Sequence, residues 1–282
     1  MSKKTLKFVS IGIGEIWNKA HHDAINACGK LVAVCDVDQN KMKDLAVKHY
    51  TNWKKMLKSE DCDVVTISTP NFEHVKMAIM AAKLGKRVIL EKPIGLTEKE
   101  RNLLDEYADK IAVCYQRRFN SQCKLIKSIS DKIISIDAKI LVRRDPYYWN
   151  TWRKDKRKSG GGNLINIDIH YLDLLQWWLG PFYGINFCKI SERNGIDQII
   201  DAKFNFSGIP VNFFGSSIHH NRNIDMRVKL NNGDELIYNL DDGTHTDLYK
   251  AFLFENKFIN VLEANTSSQM VDNLYKYNKE ND

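Results

Sequence analysis

At 282 residues, 43% of them hydrophobic, the chain exceeds one average domain and has enough apolar side chains to pack a core. No apolar run reaches the roughly 18 residues that span a bilayer, and no apolar stretch ends at a small-residue cleavage site, so a cytoplasmic protein without a membrane partner is expected. The net charge of +7 is carried by lysines interleaved with acids, and its densest cluster, Arg153–Lys158, runs into glycines, which favours an anionic small molecule over nucleic acid.

Residues 7–13 read as a first strand, with Gly12 and Gly14 closing it and a helical pattern continuing to about Cys28. Leu31–Cys35 is a second strand that ends in Asp36, near the roughly 20-residue offset of a ribose-binding acid. Trp17 stands where that fingerprint expects a small residue, so the helix must start differently or stand further off. Helices are expected at about 39–48 and 51–58, then a strand over Asp63–Ser68 leading into Thr69-Pro-Asn-Phe-Glu-His74. Asn71 can cap a helix at 72–84 that stops at Gly85. A strand at 87–90, a helix at 97–109 with a Thr97/Glu100 capping box, and a strand at Ile111–Tyr115 complete a βαβ succession and hence a parallel sheet.

Beyond residue 117 the period changes. A helix at about 121–131 and a strand at 134–143 precede a long segment, 145–163, whose Tyr147, Tyr148, Trp149 and Trp152 argue for an ordered, functional loop. A strongly apolar helix at about 164–179 stops at Gly180-Pro181. Strands at 183–191, 198–206, 210–218, 225–231 and 235–240 follow, with hairpin turns at Ser207-Gly208 and Asn232-Gly233, then a helix at about 265–277. The expected architecture is an α/β, Rossmann-type dinucleotide-binding domain over 1–117 and an α+β domain with an open, mostly antiparallel sheet over 118–282.

The stretch Val88–Ile94 carries the clearest chemistry. Val88, Ile89 and Leu90 form the apolar run of a strand buried on both faces, and Pro93 ends it. Glu91 and Lys92 are thereby held at a strand's carboxyl end, where open α/β sheets bind ligands; taken alone, they are an ion pair on a surface. His170, mid-helix among Ile167, Tyr171, Leu172 and Leu174, taken alone reads as a core histidine. Asn166 and Asp173, one turn away on either side, make a polar stripe of that face. Lys92 and His170 are the two nitrogen bases able to take a proton here. Gln116-Arg117-Arg118 follows the last nucleotide-domain strand, and an arginine fork suits a carboxylate or diphosphate. Lys154, Lys158 and Ser159 precede the glycine run 160–162, and Trp149 and Trp152 either stack on a ligand or pin the loop.

His21 and His22 are expected on the first helix surface, and no histidines lie at metal-ligand spacing, so no metal is assigned. The six cysteines are scattered and read as reduced core residues. Val211, Phe213 and Phe214 suggest strands apolar on both faces, hence self-association to a homodimer or homotetramer.

These motifs together resemble the Gfo/Idh/MocA oxidoreductases over nearly the whole chain. The resemblance rests on Ile-Gly-Ile-Gly14, Asp36, Thr69-Pro-Asn-x-x-His74, Glu91-Lys92-Pro93 and the run from Gly160 to His170 and Asp173. Within the family the chain looks most like dehydrogenases that oxidise C3 of UDP-N-acetylglucosaminuronic acid. That likeness lies in Arg143-Arg144, Trp152 to Gly161, Asn166 to Asp173, and Gly243-Thr-His-Thr246 with Tyr249. Asp168 stands where a glycine is usual and either faces away from the pocket or bears on the proton relay. The resemblance implies NAD as cofactor, with contacts from Gly12, Gly14, Glu15, Ile16, Asp36, Thr69, Pro70, Asn71, His74, Glu91, Lys92 and Gln116. It implies Lys92 and His170 as catalytic groups. Substrate contacts fall to Lys92, Arg118, Trp152, Lys154, Lys158, Ser159, Asn166 and His170. The expected reaction turns a UDP-linked N-acetylhexosamine or its uronic acid into a 3-keto sugar. A free-sugar or inositol dehydrogenase, and a non-catalytic sensor of the same fold, are the alternatives.

Overall fold

The computed structural model describes residues 5–239 and 244–281. They form two compact units: one runs to Gln116 and takes in Thr244–Asn265, the other starts at Arg117 and takes in the residues from Thr266 onward. No helix among the described residues is long and apolar enough to cross a membrane.

The first unit contains β1 (Leu6–Ile11), α1 (His22–Cys28), β2 (Gly29–Cys35), β3 (Lys48–Tyr50), α2 (Trp53–Ser59), β4 (Val64–Ile67), α3 (His74–Lys83), β5 (Arg87–Leu90), α4 (Glu98–Asn102) and β6 (Ile111–Val113). The strands pair in parallel in the order β3-β2-β1-β4-β5-β6. Val9, Val65 and Ile89 are fully buried at its centre, as a sheet covered on both faces requires. The helix expected over 39–48 does not form. Asp38 caps only a 3₁₀ turn, Gln39–Lys41, and Lys48–Tyr50 instead extends the sheet beside β2. Contacts from Lys48 and Tyr50 to Glu60 hold that edge, outweighing a weak helical period. Trp17 is accommodated by a π turn, Trp17–His21, which inserts one extra residue into the helix and buries the indole.

The second unit contains α5 (Ser121–Ser128), β7 (Ile133–Leu141), α6 (Pro146–Trp149), α7 (Lys156–Ser159), α8 (Ile169–Leu179), and β8 (Phe182–Arg193), β9 (Ile196–Phe206), β10 (Ile209–Ser216), β11 (Asn223–Leu230) and β12 (Glu235–Asn239). Its sheet runs β12-β11-β7-β10-β9-β8, with β7 and β10 parallel and the other pairs antiparallel. The segment read as a long loop is broken into short helices capped by Asp145, Thr151 and Asp155. Ser207 and Gly208 both take positive φ, 50° and 91°, closing the tight hairpin that joins Phe206 to Ile209. Val211 and Phe213 are both 1% exposed. Two positions apart, they share the inner face, and on the other face lie Asp137, Lys139, Asp201, Asn212 and Arg227. Phe214 lies on that other face, half-buried between Lys139 and Asp201, so the strand carries apolar residues on both faces as expected, but its outer face is mostly polar and charged. Leu240, expected to end the last strand, and Gly243 lie outside the described residues.

Two helices follow, α9 (His245–Lys250) and α10 (Val261–Asn281). Residues 244–265, read from sequence as part of 118–282, group with the first unit because Leu248 and Tyr249 of α9 are buried there, Tyr249 stacking on Phe8 of β1.

Candidate active site

Strand register builds the first half of the site. Ile11 pairs with Cys35 and Ile67, Ile67 with Leu90, and Leu90 with Val113. The residues just past these ends, Gly12, Asp36, Ser68, Glu91 and Cys114, therefore form one row at the sheet's carboxyl edge. The ladder continues into that row: Gly12 N–H donates to Cys35 at 2.8 Å, Ser68 N–H to Ile11 at 2.9 Å and Glu91 N–H to Ile67 at 3.0 Å.

Gly12 has φ +87°, and an added Cβ would come 2.7 Å from the Ser68 carbonyl oxygen, so only glycine fits. At Gly14 an added Cβ would meet nothing within 4 Å; the chain itself leaves that side open. Glu15 and Ile16 are exposed at the helix start, Glu15 accepting from Lys19. The Asp36 carboxylate is buried and fixed by Ile13 N–H at 2.8 Å and Asp38 N–H at 2.9 Å, with Lys41 Nζ at 3.3 Å. Thr69 and Pro70 are half-buried and Asn71 is buried. Asn71 begins a 3₁₀ turn without capping α3 by its side chain. Both ring nitrogens of the fully buried His74 face backbone carbonyls, Nδ1 that of Pro93 at 2.7 Å and Nε2 that of Thr69 at 2.9 Å. His74 therefore sits between the Thr69 loop and the Glu91-Lys92-Pro93 turn, its single N–H when neutral donating to one of the two carbonyls, and the ring has no third nitrogen to offer a cofactor. Burial lowers its pKa, the carbonyl partners pulling the other way.

Glu91 is the centre of a buried network that sequence reasoning missed. Its Oε1 lies 3.1 Å from His21 Nε2 and 3.0 Å from His245 Nε2, and His21 Nδ1 lies 2.7 Å from the Tyr249 hydroxyl. One arrangement satisfies this set: Tyr249 donates to His21 Nδ1, and both histidines donate from Nε2 to one carboxylate oxygen. Burial would raise the Glu91 pKa, but the hydrogen bonds from His21 and His245 prevail and hold the carboxyl well below its usual range. Burial keeps His21 below its ordinary value. Cys114 completes a group of four potential metal ligands whose atoms lie within 4.8 Å of one another. His21 was expected on the helix surface; the π turn at Trp17–His21 is part of the helix that carries it inward, and no sequence period reports a π turn. The adjoining Lys92 is half-buried and its peptide to Pro93 is cis. Gln116 is half-buried with Oε1 unpartnered.

In the second unit, Arg118 does not present its fork to a ligand. Nε and Nη2 donate to the two oxygens of buried Asp173 at 2.8 and 2.7 Å, and Ser267 donates to the same carboxylate. Arg117 lies over the Tyr171 ring at 4.7 Å. Asn166 donates its amide N–H groups to the carbonyls of Gly161 and Gly162, both at 2.9 Å, so it braces the glycine run. Ser159 is fully buried, donating to Asp155 O and accepting from Gly161 N–H. Lys154 and Lys158 are exposed, and Trp152 is half-buried with the Arg153 guanidinium 4.5 Å above its ring. Trp149 is buried and pins its loop. His170 is half-buried one residue into α8.

A parallel dinucleotide-binding sheet with this carboxyl edge, followed by a unit built on a mixed sheet, defines an NAD-dependent oxidoreductase. The chain belongs to the Gfo/Idh/MocA oxidoreductase family: residues 6–119 match its NAD-binding Rossmann fold and residues 131–187 its C-terminal alpha/beta domain. A levoglucosan dehydrogenase from Pseudarthrobacter phenanthrenivorans is 32% identical over 148 residues, 48% of this chain but only 38% of that protein. A D-glucoside 3-dehydrogenase from Escherichia coli is 26% identical over 90% of this chain and 80% of its own. The solved WlbA dehydrogenase from Chromobacterium violaceum, in complex with NADH and UDP-GlcNAcA, superposes with a TM-score of 0.87 over 100% of this chain and 96% of that one. At 18% identity this is a likeness of fold.

Proposed function

We propose that the protein oxidises a secondary hydroxyl of a sugar, at C3 of a UDP-linked N-acetylhexosamine or its uronic acid, passing the hydride to NAD. The observation that carries this reading is the row of Gly12, Asp36, Ser68 and Glu91 at the sheet's carboxyl edge, with Lys92 next to Glu91. Gly12 and Gly14 let the cofactor's diphosphate approach the backbone, and Asp36 accepts from the ribose hydroxyls. Lys92, fixed between the Glu91 network and Pro93, holds the reacting hydroxyl. Lys92 and His170 are the two candidate bases. NAD, when bound, supplies the hydride acceptor; the chain supplies orientation and the proton's destination. Exposed Lys154 and Lys158 are the cations offered to an anionic substrate.

One observation favours a second reading, C3 oxidation of a sugar without a nucleotide. Arg118, the fork best suited to a diphosphate, is committed to Asp173, and the D-glucoside 3-dehydrogenase matches 90% of the chain. Incubating the protein with NAD and a panel of UDP-sugars and simple glucosides, with NADH absorbance and product analysis, separates the two. Reduction with glucosides alone would remove the nucleotide from the proposal, and no reduction with either would remove the dehydrogenase reading. Self-association through the outer face of the second sheet, where Phe214 lies, is part of the same proposal.

A further inference from the structure

Ahead of His170 lies another buried acid. Asp168 ends the π turn Leu164–Asp168 and is fully buried. Its carboxyl lies over Gly215 of β10, where an added Cβ would run into Oδ2. Asn163, also fully buried, donates its Nδ2–H to that same Oδ2 at 2.7 Å. The remaining oxygens of the two side chains, Asp168 Oδ1 and Asn163 Oδ1, are both buried and have no donor. Two orphaned acceptors in one side-chain pair are costly. A single proton on Asp168 removes both, because a protonated carboxyl is a donor as well as an acceptor.

We propose that Asp168 is a neutral acid that closes a ring of two hydrogen bonds with Asn163, and that this ring seats the π turn on β10. In the ring, Asn163 Nδ2–H donates to Asp168 Oδ2, and Asp168 Oδ1–H donates to Asn163 Oδ1. The turn carries Asn166 and leads into α8 and His170, so Asp168 is a positioning residue. The titratable groups facing it are Asp197 on β9 and Tyr275 on α10. Burial raises the Asp197 carboxyl too, but it accepts from Gly162 N–H, Leu164 N–H and the Tyr275 hydroxyl, which pull it back down, so it is the better furnished of the two acids to hold charge. Burial first, and then the charge of Asp197, push the Asp168 carboxyl well above its ordinary range, with Asn163 pulling the other way. Loss of this proton would put a second buried carboxylate beside Asp197 and break the ring.

The proton is tested without substrate on the full chain. Infrared difference spectra of wild type against Asp168→Asn at neutral pH should show the carbonyl stretch of a protonated carboxylic acid, shifted in D₂O. Asp168→Asn can keep both hydrogen bonds and has no proton to lose. Its melting temperature relative to wild type should rise by roughly 5–10 °C between pH 5 and pH 9. The double exchange Asp168→Asn with Asn163→Asp should restore the acid band and the alkaline loss, and it keeps the test available should the single variant not fold. Only carboxylate bands, with parallel melting curves at every pH, would overturn the proposal in favour of a cation or water bridging the two oxygens. The positioning role rests on the proposed function and is read separately. Alkaline pH should lower kcat of wild type more than that of Asp168→Asn, with KM for NAD changing alike. Identical kcat profiles would overturn that role while leaving the dehydrogenase activity itself visible.

Discussion

Lys92 is placed by its neighbours. Glu91 is anchored by two histidines and Pro93 by His74, so the lysine between them has little backbone freedom. Lys92→Met keeps a side chain of similar length and should leave NAD affinity nearly unchanged, because Gly12, Gly14 and Asp36 lie elsewhere along the row. Turnover should fall roughly 10²–10⁴-fold, the usual contribution of a positioned acid–base group; steady-state kinetics beside calorimetric NAD titration decides it. A near wild-type rate would return Lys92 to an ordinary strand-end cation. Glu91→Gln keeps an oxygen able to accept from both His21 and His245 but removes the charge that strengthens those bonds, and should lower unfolding stability by about 1–2 kcal/mol. Chemical denaturation of the variant measures this. At Asp36, the fixed carboxylate repels a 2′-phosphate, and NAD should bind more tightly than NADP even though Lys41 lies 3.3 Å from it. Equal affinities in titration would contradict that.

At the scale of elements, the turn between β1 and the following helix depends on one backbone conformation. Gly12→Ala forces a side chain into a positive φ and against the Ser68 carbonyl. The conformational part alone costs about 1–2 kcal/mol, and the displaced turn should weaken NAD binding as well. Thermal melts with and without NAD should show both losses, and an unaltered NAD-induced shift would argue that this turn does not bind the cofactor. The helix after it shows the limit of pattern reading. Its apolar spacing is visible in the sequence, but the extra residue of the π turn that contributes to seating His21 beside Glu91 is not.

Over the whole molecule the two units should respond to pH in opposite directions. In the first, burial keeps His21 and His74 below their ordinary value of 6.5, so the unfolded chain binds protons that the folded one does not. Stability is therefore lost as pH falls below about 6.5, and further below 4.5 where Glu91, whose folded value is depressed, resists protonation. In the second, the raised value of Asp168 acts the other way: its contribution is full below its ordinary value of 3.8 and is lost as pH rises through the folded one. Hydrogen exchange across a pH series should show residues of the first unit losing protection first on acidification, and the π turn Leu164–Asp168 first on alkalisation. A uniform loss in both directions would contradict this division.

The sequence by itself determined where the strands of the first sheet end: at Gly12, Asp36 and Glu91-Lys92-Pro93, after the apolar runs before them. These are local facts, since a strand's period and a residue that ends it lie within a few positions of each other. It also determined most strands of the second sheet, because turn pairs such as Ser207-Gly208 announce themselves. Only the tertiary structure decided the partners. Arg118 reads as a free anion-binding fork until Asp173, 55 residues later, takes it. His21 reads as a surface residue until Glu91, Tyr249 and His245 surround it. The make-up of the second sheet's two faces appears only when the register is known, because Val211 and Phe213 then fall on one side and Phe214 among charged residues on the other. Such pairings join positions far apart in the chain, and a buried polar group is identified by what it meets, which no local pattern encodes.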